Sequence, residues 1–193
     1  MQEFVSVSSA LPFLLASTSS QRRAILAQLG VPFDVTAPEY DEVPGTSPLE
    51  RAAGKARSVA ADERPVLGVD TEVLLDGVLL GKPADATEAE AMLESLAGRT
   101  HEVVSGLCLR TRAWEELHTE TTLVTFRTLT PRDLAHYVAG GEWEGRAGAY
   151  AIQGVGASLV TRIDGDFLNV VGLPAALLVR LLATRFAGVY GFG

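Results

Sequence analysis

Along the chain, short apolar runs alternate with segments whose apolar positions recur at helical spacing, which predicts an α/β fold rather than an all-helical or all-β one. Phe13 to Ala16 read as a buried strand, Ser17 to Ser20 as hydroxyl residues suited to an N-cap, and Ala24, Ile25, Leu26 and Leu29 as a helix face closed by Gly30. Phe33 to Thr36 predict a second strand, followed by a Pro/Gly-rich acidic loop from Pro38 to Pro48. Leu49 to Asp62 predict a helix with Leu49, Ala52, Ala53, Ala56, Val59 and Ala60 inward and Lys55 near a cleft or in water. Pro65 to Val69 form a continuous apolar strand ending in Asp70-Thr71, and Val73 to Leu80 a hairpin turning at Asp76-Gly77. Thr87 to Leu96 predict a helix capped by Thr87, with Glu90 three residues on, and closed by Gly98. His101 to Arg110 and Leu117 to Leu129 predict longer strands joined near Trp114, and Thr130-Pro131 a strong helix start. Ala157 to Ile163 and Phe167 to Val171 predict a second hairpin through Asp164-Gly165, before a closing helix over Ala175 to Phe186.

Composition narrows the function classes. A chain of 193 residues, 47% hydrophobic and 21% charged, can bury a full core. We expect one domain over residues 1–193, with residues 1–10 a flexible lead-in. The net charge of −8 argues against binding a nucleic acid polymer through a broad basic surface, since that requires lysines and arginines to displace counterions. The apolar run Ala10 to Ala16 lacks a basic flank and is too short to span a bilayer, so no membrane partner and a cytoplasmic location are expected. The single cysteine, Cys108, lies in an apolar strand-like run and reads as a buried, inert thiol.

Against that acidic background, clustered cations carry more meaning. The stretch Leu14-Leu15-Ala16-Ser17-Thr18-Ser19-Ser20-Gln21-Arg22-Arg23 is a strand-to-helix turn whose free N–H groups, helix dipole and guanidinium groups suit a phosphate; the alternative is that its serines only cap and its arginines are only solvated. Gly68-Val69-Asp70-Thr71 offers a carboxylate where open α/β sheets present ligand-binding residues, or a turn cap. Gly81-Lys82-Pro83 restrains a lysine between two conformationally special residues. Gly148 to Gly156 permits close backbone approach, and its Gln153 can both donate to and accept from a base edge; a merely tight loop is the alternative.

Together and in this order these segments resemble the Maf family of nucleoside triphosphate pyrophosphatases over nearly the whole chain. The matching stretches are Leu15-Ala16-Ser17-Thr18-Ser19 with Arg22, Gly68-Val69-Asp70-Thr71, Gly81-Lys82-Pro83, Leu96 to Val103, Ala147 to Gly154, and Asn169-Val170-Val171-Gly172-Leu173-Pro174. The resemblance implies an elongated two-lobed mixed sheet with flanking helices around a central cleft. It also implies hydrolysis of a nucleoside triphosphate between the α and β phosphates with a divalent metal, magnesium or manganese, and a homodimer. Arg22, Lys55 and Lys82 then neutralise the triphosphate and the leaving pyrophosphate, while Ser17, Ser19 and the helix N-terminus hold one phosphate. Asp70 matches the family's proton acceptor, and the same carboxylate could be a metal ligand. Asp41 or Glu42 in the acidic loop could add hard oxygen ligands.

Substrate choice departs from the family pattern. The dTTP/UTP branch usually has Ser-x-Ser-Pro-Arg-Arg, whereas this chain has Ser17-Thr18-Ser19-Ser20-Gln21-Arg22, placing Gln21 where that branch has an arginine. Thr71 and Gln153 do match the dTTP/UTP branch, so dTTP or UTP is expected first, with CTP or modified bases also admitted because a neutral amide replaces a fixed cation. His101 reads as structural. Two competing functions are a nucleotide-binding regulator of septum formation without turnover, and a purine-directed house-cleaning enzyme of the inosine-triphosphate type.

Overall fold

The computed structural model describes residues 11–193, so the flexible lead-in expected over residues 1–10 lies outside the described residues. In chain order the elements are β1 (Phe13–Ala16), α1 (Ser20–Gln28), β2 (Phe33–Thr36), α2 (Pro48–Ser58), β3 (Val66–Leu75), β4 (Val78–Leu80), α3 (Ala86–Leu96), β5 (Thr100–Arg110), β6 (Glu115–Phe126), α4 (Pro131–Ala139), β7 (Val160–Asp164), α5 (Phe167–Val171) and α6 (Ala175–Arg185). Short 3-10 turns occupy Ala147–Ala149 and Gly154–Leu159. The strands make a mixed seven-stranded sheet in the order β2-β1-β3-β5-β6-β7, with β4 paired to β3. The α/β class expected from the alternating pattern is the one observed. Among the described residues, no helix is long and apolar enough to cross a membrane.

The described residues gather into two compact units. The first holds residues 11–70, Gly106–His118 and Leu173–Gly193. Here β1 runs parallel to both β2 and β3, and all four of its residues are buried, as parallel strands require. Its core pairs Leu14, Ala16 and Val66 with the alanine face of α2, formed by Ala52, Ala53 and Ala56. Two glycines let that helix lie directly on the strands. A Cβ on Gly68 would fall 2.2 Å from the Ala52 carbonyl oxygen, and one on Gly106 2.4 Å from the Leu49 Cα. Helix α2 stops at Ser58 rather than continuing to Asp62, because Val59 turns to an extended conformation and Arg110 donates to the carbonyls of Ala56 and Val59. Those end carbonyls thus find a side chain instead of another helical turn. Cys108 is fully buried, and desolvation pushes its thiol up to about 12, which makes it inert at neutral pH.

The second unit holds Thr71–Ser105 and Thr119–Gly172. Its hairpin, β3 to β4, turns at Asp76 and Gly77, both at positive φ, as the two-residue turn demands. Leu93, Leu96, Val103, Phe126, Tyr137 and Tyr150 anchor its core. His101 is buried in that core, its Nε2 2.8 Å from the Tyr150 hydroxyl and its ring edge-on to Phe126, so the structural reading of this histidine holds. Trp143 packs partly into the same core and donates its indole N–H to Val138.

Three further local expectations are overturned. The cap of α3 is Asp85, which accepts from the Glu88 N–H, while Thr87 lies inside the helix. Phe167–Val171 is a helix, not a strand: Asp166 caps it, and the buried Asn169 amide donates to Val103 and Thr122, so tertiary hydrogen bonding overrides the strand preference of two valines. Strand β7 therefore pairs with β6. Third, β3 does not end at Asp70-Thr71 but runs unbroken to Leu75. What stops is its neighbour: β1 ends at Ala16, opposite Gly68, so Asp70 lies beyond the paired stretch on that side.

Candidate active site

In the first unit, the chain leaving β1 turns through Ser17, Thr18 and Ser19 into α1. Ser19 is the N-cap, in an extended conformation with its hydroxyl accepting from the Arg22 N–H. The buried Ser17 hydroxyl accepts from the Ser19 N–H at 3.2 Å and from the Arg22 guanidinium at 3.1 Å. Gln21 accepts from the Ser19 hydroxyl at 3.2 Å. Hydroxyls, helix N-terminus and guanidinium therefore converge in one turn, the chemistry that suits an anion. Burial pulls the Arg22 guanidinium below its ordinary value, and the charges of Asp70 and Glu42 pull it back up.

Asp70 is 8% exposed and engaged by cations on both oxygens. Arg51 donates its Nε–H to Oδ2 at 2.7 Å, and the Lys55 ammonium contacts Oδ1. Both cations come from α2, one helical turn apart, on a single face. The helix is set by a capping box between Ser47 and Glu50 with Pro48 in its first turn, and Gly68 lets it approach β3 closely enough to reach Asp70. Arg51 also donates to the Thr46 carbonyl, and Lys55 contacts Glu42 Oε1 at 2.7 Å. Of the two places expected for Lys55, near a cleft or in water, the second is excluded: its side chain is 13% exposed and bridges two carboxylates. The cluster contains three cations and two carboxylates, leaving a surplus positive charge beside the anion-binding turn.

The metal expectation named Asp70, Asp41 and Glu42. Asp70 and Glu42 do converge, on the same ammonium, while Asp41 is exposed. Among the described residues, no three His, Cys, Asp or Glu side chains gather as a ready-made metal cage. Two carboxylates sharing one lysine nevertheless offer the hard oxygen donors that magnesium or manganese takes, in the number usual when substrate phosphates complete the shell.

In the second unit, Thr71 shares a hydrogen bond with the buried Ser105 hydroxyl at 2.8 Å. Lys82 and Gln153 are exposed. Two of the motif segments meet here, because the Gly148 N–H donates to the Gly81 carbonyl at 3.0 Å. The loop carrying Gln153 is held by side chains outside it. The Tyr137 hydroxyl accepts from the Ala151 N–H, and the Glu142 carboxylate spans the N–H groups of Val155 and Gly156, each at 3.0 Å. Ala149, fully buried, sits at φ +60, a conformation that costs a non-glycine residue about 1 kcal/mol or more and persists only where surroundings fix it.

Two residues escaped the sequence reading. Arg51 could have been found as a cation four residues before Lys55, flanking an alanine face; Glu142 had no local signal, because its partners lie more than a dozen residues away.

A family model described as Maf-like protein matches residues 12–185. Among curated proteins, the dTTP/UTP pyrophosphatase of Deinococcus radiodurans is 45% identical over 187 residues, covering 93% of this chain and 95% of the relative. That of Nitratidesulfovibrio vulgaris is 48% identical over 189 residues, covering 93% and 90%. That of Symbiobacterium thermophilum is 47% identical over 182 residues, covering 90% and 93%.

Proposed function

Because the chain belongs to the Maf family, we propose that it is a nucleoside triphosphate pyrophosphatase that hydrolyses the α–β anhydride of dTTP or UTP to the monophosphate and pyrophosphate. The observation that carries this reading is the pairing of an anion-binding helix turn with a buried carboxylate held between cations in the same unit. Binding alone would not call for a carboxylate beside a polyanion, since it repels the phosphates; hydrolysis does, because water must give up a proton.

In this reading Ser17, Ser19 and Arg22 hold a phosphate against the N-terminus of α1. Lys55 and Lys82 offset the charge that builds on the departing pyrophosphate. The water oxygen bonds to phosphorus, the bridging P–O bond breaks with its electrons moving to pyrophosphate, and the water proton passes to Asp70. Magnesium or manganese, held by Glu42 or Asp41, or by Asp70 where that carboxylate serves as a ligand instead of the base, would neutralise the polyphosphate and make the water more acidic. Thr71 and Gln153 recognise the base, and Gln21 in place of a cation broadens that choice toward CTP or modified bases.

The test is pyrophosphate release from dTTP, UTP, CTP, 7-methyl-GTP and ITP, with each metal and without, beside Asp70→Asn. Turnover of pyrimidine triphosphates that falls about 10²- to 10⁴-fold in the variant is expected. Nucleotide binding without turnover would instead mark a regulator, and a preference for ITP the purine-directed enzyme.

A further inference from the structure

Arg51 lies in none of the segments that carry the family resemblance, yet it is the partner of Asp70 with the firmest anchorage. Its Nε–H meets Asp70 Oδ2 at 2.7 Å, its side chain is 11% exposed, and its other end is tied to the Thr46 backbone carbonyl. Lys55, on the opposite oxygen, is held differently. Its second partner is Glu42, whose side chain is 57% exposed on the acidic loop. An arriving polyphosphate can compete with two carboxylates for a flexible ammonium, but not for a guanidinium whose planar fork is spent on a buried carboxylate and a backbone carbonyl. While both cations stay in place, each Asp70 oxygen already carries a charged donor, which competes with water or metal for it.

We infer that Arg51 is a positioning residue: it fixes Asp70 through Oδ2 while Lys55 passes from Asp70 and Glu42 to the polyphosphate, which leaves Oδ1 as the working atom. The inference rests on the reading of Asp70 as the reacting carboxylate. Arg51 touches neither substrate nor water in this scheme, so its removal slows the chemical step without loosening the nucleotide.

The experiment compares wild type, Arg51→Met, Arg51→Gln, Arg51→Lys and Asp70→Asn. For each, kcat and KM for dTTP are measured, with the Kd of the non-hydrolysable α,β-imido analogue by calorimetry and the melting temperature. Arg51→Met is expected to lower kcat by about 10²-fold, the scale of a reacting group misplaced by an ångström, with the analogue Kd unchanged. Arg51→Lys, which returns a charge without the fork, is expected to recover part of that loss. A folded Arg51→Met enzyme with wild-type kcat overturns the inference, as does a loss of analogue affinity matching the loss of kcat. If Arg51→Met does not fold, Arg51→Gln is read by the same criteria. Should Asp70→Asn itself keep full turnover, the reading of Asp70 falls and the inference with it; collapse of Asp70→Asn beside an unaffected Arg51→Met removes the inference alone.

Discussion

Around Asp70 the polar groups that matter are side chains paired with one another, whereas around Gln153 they are backbone N–H groups held by side chains from outside the loop. The first arrangement packs charge into a half-dry space, where Arg51 and Lys55 are paired with Asp70 and Glu42 while Arg22 donates to the Ser17 hydroxyl. The second uses little charge. Glu142 and Tyr137 fix the backbone, glycines make room for it, and the residue being presented, Gln153, stays exposed. A site that must grip a polyanion needs partners that can be exchanged. In the proposed function the loop reads a neutral base edge, which needs a rigid platform because discrimination there comes from hydrogen-bond geometry.

The largest effect that would break this contrast comes from stranding a charge. Asp70→Ala leaves the Arg51 guanidinium buried beside no carboxylate and is expected to cost about 3–5 kcal/mol in urea denaturation. Adding Arg51→Met to that variant is expected to restore most of the stability but none of the turnover. A double variant whose cost equals the sum of the Asp70→Ala and Arg51→Met costs would show that the pair is not coupled.

The second unit has its own buried titratable group. Burial pushes His101 down to about 4, against an ordinary value of 6.5, so it folds neutral. Its protonation therefore favours the unfolded chain: the contribution is complete above pH 6.5 and is lost as pH falls from 6.5 toward 4, to the extent of roughly 3 kcal/mol. Chemical denaturation across that range should show the decline in wild type and a flatter profile in His101→Phe.

Smaller effects separate the loop from the cluster. A Cβ on Gly156 would fall 1.8 Å from the Ala151 carbonyl oxygen, so Gly156→Ala must displace backbone and is expected to cost about 1–3 kcal/mol. Its kinetic signature is a lowered preference for dTTP over CTP. Smallest of all, Glu142→Gln loses the charge that spans two N–H groups and is expected to cost about 1 kcal/mol, again read in base preference rather than in kcat. Equal loss with every nucleotide in either variant would place the loop's role outside base recognition.

Much of the fold was legible because its signals are short-range. Ser19 before α1, Asp76-Gly77 between β3 and β4, and Thr130-Pro131 before α4 each act through a contact a few residues away, and each stands where the sequence puts it. The Phe167–Val171 segment failed for the converse reason: its valines favour a strand locally, but Asn169 is buried through hydrogen bonds to residues far off in the chain.

By itself the sequence determined the alternation of strands and helices, the hydroxyl-rich capping turn at Ser17 to Arg22, and the position of a carboxylate at Asp70. Only the tertiary structure decided what that carboxylate touches. Arg51 and Asp70 are 19 residues apart, and they meet because Gly68 admits α2 against β3 with one helix face turned to the strand. Local chemistry is written in neighbouring residues, but an ion pair across elements depends on how closely and in what rotation those elements pack.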